Sequence, residues 1–352
     1  MKLKVERMRF ISQARLFVPR CFSAVMGSAV FVALIFASVT VASAQSCQSS
    51  GDLEDAVRTA ITTAGQHYFD MAAKGDTSSL RQNAIASLSS DFSAIESTIK
   101  DHQQDLAGAQ AAVKGVYLLE TDGAPMTHAE FDCGVFGKSG QTAGSAVFIL
   151  DSLPAGKYAV VLFEVTSPKT KENFSLVLQQ QGSDWKVGGL YMLPSQIAGH
   201  NSDWFTARAR EYKAKGQLHN AWLFYLEARS LISPLPFMST QASDKLYDES
   251  QGAQPPDVPS NGKPVDLAAG SATYKLTALF PQAVGEDVDL IVKYQAADVS
   301  NTTQAYQNNV GVIKALIAKY PEFRDAFAGV VARAVDPAGR DYGTLLAMKD
   351  IK

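Results

Sequence analysis

Short catalytic motifs are absent from this chain of 352 residues, and histidine and cysteine are scarce in it. It has no Gly-x-Ser-x-Gly element, no glycine-rich phosphate loop, no His-Glu-x-x-His pair and no paired-cysteine metal site. These absences exclude the serine hydrolases, phosphate-loop proteins and zinc enzymes that such motifs identify. With 46% hydrophobic and 19% charged residues, the composition is that of a folded protein, long enough for two or three domains.

The first 44 residues have the pattern of a secretory signal peptide. A basic stretch precedes an uncharged apolar run from Ala24 to Val41, and Ala42-Ser43-Ala44 fits a cleavage site of small residues. We therefore expect residues 1–44 to be removed and the remainder to be periplasmic or extracellular. The apolar run is at the lower limit for crossing a bilayer, so an uncleaved amino-terminal anchor is the alternative.

The chain has three cysteines, and Cys21 belongs to the expected signal peptide. Cys47 and Cys133 remain, and they are too far apart in the sequence for a redox Cys-x-x-Cys pair. Two cysteines in an exported protein predict one disulfide, which would tether the mature amino terminus to the first domain. Two unpaired thiols are the alternative.

Removal of the signal segment takes away six basic residues and one acidic residue, Glu6. The remaining 26 basic and 34 acidic residues give a formal net charge of −8. An acidic surface without a basic stripe argues against nucleic acid or an anionic membrane as the partner. An envelope protein or a small apolar ligand remains as the expected partner. No cofactor is indicated, and the oligomeric state stays open.

Residues 156–192 give the clearest structural signal, three β-rich segments separated by turn-forming residues. They predict an antiparallel meander. A two-residue turn at Gly182-Ser183 would place Phe174 opposite Tyr191. One face of the hairpin is then apolar, with Phe174, Leu176, Leu178, Trp185, Val187 and Tyr191. A slip of one residue would bury glutamine and lysine side chains, so the pattern specifies the register.

The strand before this hairpin, residues 158–166, is apolar on both faces except at Glu164. Such a pattern is typical of a central strand covered on both sides. Pairing Val165 with Phe174 would leave Glu164 on the opposite face, together with Lys186. Helices are expected to cover at least one face of this sheet.

Two helical stretches precede the sheet. The first ends near Gly75 and has apolar residues at helical spacing: Leu53, Val57, Ile61, Ala64, Tyr68 and Met71. The second begins after a cap at Thr77 or Ser78 and forms one helix or two. Strands are expected at residues 113–120 and 145–151, and the number of strands between them is left open. Helices followed by an antiparallel sheet predict the α+β class.

The last predicted element of this region is the hairpin around Gly-Ser-Asp-Trp-Lys-Val-Gly-Gly-Leu-Tyr at residues 182–191. Helices followed by a sheet that ends in such a hairpin resemble the nuclear-transport-factor-like or cystatin-like α+β cone. The resemblance covers residues 53–194 and places a cone-like domain at residues 45–198. It implies a curved sheet around helices, with a pocket between them. The chain as a whole resembles a family of exported bacterial proteins whose function is uncharacterised.

After Pro194 the pattern becomes helical, with helices expected at residues 203–215 and 220–232 inside the segment 199–240. The small and aromatic positions of this pair resemble a tetratricopeptide hairpin, namely Ala209, Tyr212, Gly216, Ala221, Tyr225 and Ala228. A single copy cannot build a solenoid, so we expect it to pack against the flanking domains.

Residues 252–262 are rich in proline, glycine, serine and asparagine, and we assign residues 241–264 as a linker. Beyond it, residues 265–352 predict a small α+β domain of ββαββ order. Its helix would begin at a cap at Thr302 or Thr303. A domain of this size is expected to dock on the rest of the chain for stability.

Candidate catalytic and metal-binding residues are few. Glu164 stands alone among apolar neighbours and would serve as general base if a cone pocket enclosed it. In the alternative, which we favour, it is a cross-strand partner of Lys186 or a residue at an open face of the sheet. His128 alternates with Glu130 and Asp132, and a histidine with two carboxylates on one side of an extended segment can bind a hard or borderline metal. A solvated loop or edge strand is the alternative, and we favour it and assign no metal.

Five aromatic residues could line a ligand cleft or pack the core: Trp185, Tyr191, Trp204, Trp222 and Tyr225. We expect an exported, non-enzymatic binding or scaffold protein of the cell envelope, because catalytic motifs are absent. The alternatives are a cone-pocket enzyme with Glu164 or His128 as general base, and a small-molecule carrier with an apolar cavity.

Overall fold

The computed structural model describes residues 45–135, 141–142, 144–168, 170–259 and 262–352. The expected signal peptide, residues 1–44 with Cys21, lies outside the described residues. Within the ranges just given, no helix has the length and the apolar character needed to cross a membrane. Helices and largely antiparallel, open sheets make up the described chain, which confirms the predicted α+β class.

The elements follow one another along the whole described chain. The strands are β1 (Gln45–Ser49), β2 (Gln110–Thr121), β3 (Met126–Cys133), β4 (Ala146–Leu153), β5 (Gly156–Thr166), β6 (Lys171–Gln181), β7 (Asp184–Pro194), β8 (Gln196–Ile197), β9 (His200–Asn201), β10 (Met238–Ser239), β11 (Val265–Ala269), β12 (Ala272–Val284), β13 (Asp287–Gln295), β14 (Gly329–Val335) and β15 (Asp341–Ala347). The helices are α1 (Asp55–Ala73), α2 (Thr77–Gln82), α3 (Ala86–Ser90), α4 (Ser93–Asp101), α5 (Gln103–Leu106), α6 (Ser202–Ala214), α7 (Leu218–Ile232), α8 (Gln241–Gln251) and α9 (Thr302–Lys319).

A five-stranded antiparallel sheet of order β1-β2-β5-β6-β7, the main sheet, forms the centre of the amino-terminal half. Helices α1 to α5 cover one of its faces. There Phe69 of α1 packs edge-on against Phe174, with ring centroids 5.2 Å apart. Gly65 brings α1 so close to β5 that a Cβ atom on it would lie 3.1 Å from Val161. The helix and the sheet are in direct contact at this point, and no ligand space separates them there.

The opposite face of the main sheet is covered by a second, three-stranded sheet of order β10-β4-β3, the small sheet. Tyr117 of β2 and Phe148 of β4 meet edge-on between the two sheets, with centroids 5.0 Å apart. The β5 side chains on this face, Val160 and Leu162, are also buried. β5 is therefore buried on both faces, as its sequence predicted, and one of its covers is a sheet rather than a helical layer.

The structure contains a disulfide between Cys47 and Cys133, whose Cα atoms are 4.8 Å apart. Cys47 lies on β1 at the edge of the main sheet, and Cys133 ends β3 of the small sheet, where it is fully buried. The predicted pairing is confirmed, and the bond joins the two sheets. β1 itself was not predicted, because its five residues Gln-Ser-Cys-Gln-Ser carry no apolar alternation.

The hairpin of β6 and β7 follows the predicted register only near its turn, where Gly182 has a positive φ of 64°. Further along, Gly188 is an extra residue on β7 and forms a β-bulge, so Phe174 lies opposite Met192 rather than Tyr191. One extra residue reverses the alternation of every residue after it. Met192 consequently faces the helices, while Tyr191 turns to the small sheet. The prediction that placed Tyr191 on the face of Phe174 is wrong for this reason.

The pairing of β5 with β6 also differs from the expected one. Phe163, and not Val165, lies opposite Phe174. Because the offset is two residues, the side chains keep their faces, and Glu164 remains on the face away from the helices, as predicted.

The second helical stretch is divided into the separate helices α2 to α5. Asp76 caps α2, because its carboxylate accepts a backbone N–H of the first turn at 3.0 Å; the predicted caps, Thr77 and Ser78, lie inside the helix. Between α2 and α3 the chain is extended, and the Ile85 N–H donates to the Val187 carbonyl at 2.9 Å. This segment satisfies edge groups of β7, which explains why one long helix does not form here.

Helices α6 and α7 form the expected antiparallel hairpin, which packs against the carboxy-terminal residues. The Phe224 ring of α7 lies 5.7 Å from that of Phe327, and the Tyr212 hydroxyl donates to the Asp325 carbonyl at 2.9 Å. The hairpin and the carboxy-terminal sheet therefore share one hydrophobic core.

The carboxy-terminal sheet has the order β11-β12-β13-β14-β15. The expected ββαββ unit is present as β12, β13, α9, β14 and β15, with β13 and β14 parallel across the α9 connection. β11 adds a strand that was not predicted. Asn301, rather than Thr302 or Thr303, caps α9, and its side chain accepts the Gln304 N–H at 3.1 Å.

The first half of the predicted linker, residues 241–264, is the helix α8. A capping box of Thr240 and Ser243 begins this helix, and Leu246 buries its side chain in the shared core. The linker assignment is wrong for these residues because the proline and glycine content of residues 252–262 does not extend to the preceding segment.

Glu249 of α8 anchors that helix to the hairpin. Its carboxylate accepts hydrogen bonds from Arg210 Nε at 2.7 Å and Nη2 at 2.8 Å, and from the Tyr225 hydroxyl at 2.8 Å. The bonds from Arg210 lower the pKa of Glu249 to about 2. Burial, together with the neighbouring carboxylate, raises the pKa of Tyr225 to about 12.

We expect Glu249→Gln to lower the free energy of unfolding by about 1–2 kcal/mol at neutral pH, because a bidentate charge-assisted pair is lost. The folded pKa of Glu249 lies below the ordinary value of 4.5, so this contribution is present above that pH and is lost as the pH falls towards 2. Urea unfolding of both proteins between neutral and acidic pH measures the difference. Glu211→Gln is the control, because Glu211 pairs with Arg208 at the surface. A difference that does not shrink in acid would contradict the assignment.

Candidate functional site

A cleft of about 580 Å³ lies where one end of the main sheet meets the start of the helical hairpin. Its wall takes side chains from the ends of β5 and β6, from β9 and from the first turn of α6. We name it the His200 cleft, and its principal residues are Glu164, Lys171, His200, Asn201, Asp203 and Trp204. It brings together strand residues and hairpin residues that are far apart in the sequence.

A tight turn sets the position of His200. β8 and β9 pair around Ala198 and Gly199, which both have positive φ, of 47° and 75°. Two positive φ values are the geometry of a type I′ turn, and alanine is uncommon in that conformation. Strained turns of this kind are frequent at functional sites, which makes His200, the residue after the turn, a candidate site residue.

The turn lays His200 flat on the indole of Trp204. The two ring centroids are 3.8 Å apart, and the ring planes are inclined by only 8°. Trp204 is also held by the hairpin core, where the Phe205 ring packs against it at 83° with centroids 4.9 Å apart. Both members of the pair are partly exposed, and because their facing sides cover each other, the aromatic surface at the cleft consists of outer ring faces and ring edges.

Polar groups of the first turn of α6 lie beside this surface. Asn201 caps the helix by accepting the N–H of Trp204 at 3.1 Å, and the Ser202 hydroxyl donates to a carbonyl of α7 at 2.8 Å. These two hydrogen bonds fix the start of α6. Asp203 and Lys171 are both exposed, so a carboxylate and an ammonium group border the aromatic pair.

Glu164 contributes to the cleft from the end of β5. Its carboxylate forms an ion pair with Lys114 at 3.2 Å, and its side chain is 36% exposed. The expected partner, Lys186, donates instead to the Asn83 side chain at 3.4 Å. The prediction of a Glu164–Lys186 contact is wrong, because Lys186 pairs with Gln179 further along β6. The environment of Glu164 suits a group that accepts hydrogen bonds at a surface.

The other candidate base, His128, lies outside the cleft. His128, Glu130 and Asp132 share the exposed face of β3, as their alternation predicted. His128 Nδ1 lies 2.8 Å from Oδ1 of Asp151 on the neighbouring strand β4. Successive residues on one face of a strand are about 7 Å apart, so the strand alone does not gather three ligand atoms around one ion.

The five aromatic candidates belong to different parts of the molecule. Trp204 lies in the His200 cleft. Trp185 packs beside the helix-covered core, and Tyr191 faces the small sheet. Trp222 and Tyr225 are buried in the core that the hairpin shares with the carboxy-terminal sheet.

Lys171 and Asp203 were not assigned to a site from the sequence, and His200 was not recognised as part of an aromatic pair. A local signal exists for His200, because the Ala-Gly turn before it and the Asn-Ser-Asp-Trp sequence after it indicate a turn leading into a capped helix. Lys171 has no local signal, because only the strand pairing brings it to the cleft.

Comparison with known proteins gives no match, whether with protein-family models, with curated proteins or with solved structures. The resemblance to the α+β cone and to the tetratricopeptide hairpin therefore stays a prediction. What the His200 cleft can bind follows from its own side chains.

Proposed function

We propose that this chain is an exported, non-enzymatic binding protein of the cell envelope and that the His200 cleft binds a saccharide. The stacked pair of His200 and Trp204 carries this proposal. A sugar ring has an apolar face of C–H groups that packs on aromatic rings, and hydroxyls that form hydrogen bonds with carboxylates and amides. The cleft places Glu164, Asn201 and Asp203 around the aromatic pair.

The size and polarity of the cleft support a hydroxylated ligand. Its volume of about 580 Å³ falls within the range of small-molecule sites, about 300–1,000 Å³. Charged and amide side chains contribute to its wall, which suits a saccharide better than the small apolar ligand expected from the sequence.

Location in the envelope is supported by the disulfide and by the predicted signal peptide, whereas the net charge bears on the partner. The disulfide between Cys47 and Cys133 is consistent with an oxidising, exported compartment. The sequence after residue 44 carries a formal net charge of −8, which favours uncharged or basic partners over anionic ones. The predicted signal peptide supports the same location.

Binding is favoured over the alternatives of catalysis and sealed transport. Glu164 is paired with Lys114 and partly exposed, whereas a general base is usually tuned by burial. A sealed carrier needs space between helices and sheet, and the close approach of Gly65 to Val161 removes such space at the centre of that interface.

We expect His200→Ala to weaken saccharide binding roughly tenfold or more, because the flat aromatic surface is lost. Isothermal titration calorimetry with soluble N-acetylhexosamine oligosaccharides measures the affinity of the purified protein and the variant. Tyr306→Ala is the matched control, because Tyr306 is an aromatic residue with 47% exposure on α9, outside the cleft.

Thermal unfolding of each variant separates loss of binding from loss of fold. His200 is partly exposed, so the midpoint of its variant should stay close to that of the wild-type protein. No saccharide binding by the wild-type protein at millimolar concentration, or equal affinities of the wild-type protein and His200→Ala, would contradict the proposal.

A further inference from the structure

A cluster of potential metal ligands lies on the helix-covered side of the main sheet. His102 stands between α4 and α5, Asp105 lies in α5, and Glu172 is the second residue of β6. One ligand atom of each residue lies within 4.8 Å of the other two. In the described ranges this is the one group of three such side chains that comes together, and we name it the His102 cluster.

His102 and Glu172 form the closest contact of the cluster. His102 Nδ1 lies 3.1 Å from both Oε1 and Oε2 of Glu172, so one ring nitrogen is shared between the two oxygens of the carboxylate. Glu172 is only 8% exposed, and a carboxylate has room for about four hydrogen bonds. His102 Nδ1 thus faces both oxygens of a buried carboxylate.

Asp105 is held in place from outside the cluster. The Thr170 hydroxyl donates to Asp105 Oδ1 at 3.1 Å, and Thr170 is itself bonded to Ser167 through its backbone N–H at 3.0 Å. An outer hydrogen bond of this kind orients a carboxylate that binds a metal through its other oxygen. With this one bond, the Asp105 carboxylate still has acceptor sites for a ligand.

We propose that His102, Asp105 and Glu172 form a binding site for a divalent cation of the zinc class. One imidazole nitrogen and two carboxylates are a ligand set for borderline divalent metals. Ligand atoms around Zn²⁺ lie about 2.0–2.2 Å from the ion and hence about 3.5 Å from each other. The spacing of the cluster is compatible with that geometry after small rotations of side chains.

The site would join two layers of the fold. Glu172 lies opposite Val165 on the helix-covered face, at the same end of the main sheet as the His200 cleft on the other face. His102 and Asp105 belong to the helical layer. A bound cation would therefore tie the helices to the sheet and stabilise the native state by mass action.

His219 shows why this cluster differs from an ordinary histidine–carboxylate network. Its Nδ1 lies 2.7 Å from Glu322 and its Nε2 lies 2.8 Å from Asp257. The two carboxylates meet different nitrogens of the ring, so they cannot share one ion with a single histidine nitrogen. In the His102 cluster one ligand atom of each of the three residues lies within 4.8 Å of the other two, so one ion can meet all three.

Isothermal titration of the chelator-treated, full-length protein with Zn²⁺ tests the proposal. We expect one Zn²⁺ per chain, and we expect His102→Ala and Asp105→Asn to lower the affinity roughly tenfold to a hundredfold. His128→Ala is the matched control, because His128 faces one carboxylate on an exposed strand; its affinity for Zn²⁺ should equal that of the wild-type protein.

Thermal unfolding gives a second readout. At equal Zn²⁺ concentration, the midpoints of the wild-type protein and of His128→Ala should rise by the same amount, and that of His102→Ala should rise clearly less. Three results would overturn the proposal: no Zn²⁺ binding by the wild-type protein, wild-type affinity in both cluster variants, or binding that is lost in His128→Ala instead.

Discussion

Replacement of Cys47 and Cys133 by serine is expected to lower the free energy of unfolding by about 4 kcal/mol. The bond spans 86 residues, and a cross-link over so long a segment strongly restricts the unfolded chain. It also joins β1, at the edge of the main sheet, to β3 of the small sheet. Without it, β1 is retained only by its pairing with β2 and by side-chain contacts.

Urea unfolding of three samples measures this effect: the oxidised protein, the reduced protein, and the double variant Cys47→Ser with Cys133→Ser. The reduced protein and the double variant should unfold at nearly the same urea concentration, well below that of the oxidised protein. Thiol counting on the unreduced, denatured mature chain should find no free cysteine. Two free thiols would show that the bond does not form in solution, and a loss below about 1 kcal/mol in both samples would contradict the predicted stabilisation.

The sequence predicted the fold well wherever side-chain alternation was unbroken. The burial of β5 on both faces and the register next to Gly182 follow directly from the apolar pattern. The bulge at Gly188 was not predictable, because one unpaired residue changes the face of Tyr191 without changing the composition of the strand. A pattern of period two cannot show where an extra residue interrupts it.

Helix α8 was missed for a different reason. The capping box of Thr240 and Ser243 was readable in the sequence, but α8 is mostly polar and carries a single buried apolar side chain, Leu246. Its main anchor is the pair of Glu249 with Arg210, which lies 39 residues away in the sequence. Contacts of that range arise from the tertiary fold and leave no periodic signal.

For the candidate sites too, individual residues were predictable from the sequence, but their arrangement in space was not. Glu164 and Trp204 were each selected from the sequence, but nothing in the chain order indicated that they border one cleft. One histidine with two carboxylates was noted in the sequence at His128 and its neighbours on β3, where no metal was assigned. The structure gathers that chemistry at His102 and Glu172 instead, because the end of a helix and the start of a strand can converge on one point.

Replacement of Asn309 by alanine is expected to lower the free energy of unfolding by about 3–4 kcal/mol. Asn309 is fully buried on α9 and accepts a hydrogen bond from the Tyr294 hydroxyl at 2.7 Å. Its amide nitrogen donates to the Tyr342 carbonyl at 3.0 Å and to the Thr344 hydroxyl at 2.9 Å. Alanine would leave these three groups without that partner, and each buried group left unpaired costs about 1–3 kcal/mol.

The position of Asn309 in the fold explains why the loss should be cooperative. Tyr294 lies on β13, Tyr342 and Thr344 lie on β15, and β14 runs between these two strands. The single amide of Asn309 thus links α9 to strands on both sides of β14. Burial raises the pKa of Tyr294, so its hydroxyl stays protonated and donates to Asn309 across the ordinary pH range.

Asn308→Ala is the matched control, because it removes the same chemical group one position earlier in α9. Asn308 Oδ1 accepts from the Tyr274 hydroxyl at 3.3 Å and from Gln304 at 3.0 Å, and its side chain is partly exposed. Water can replace these bonds, so the expected loss is below about 0.5 kcal/mol. Urea unfolding of the two variants at equal protein concentration measures both losses. Equal losses would show that the buried network contributes no more than a surface hydrogen bond, and the cooperative link through Asn309 would then be wrong.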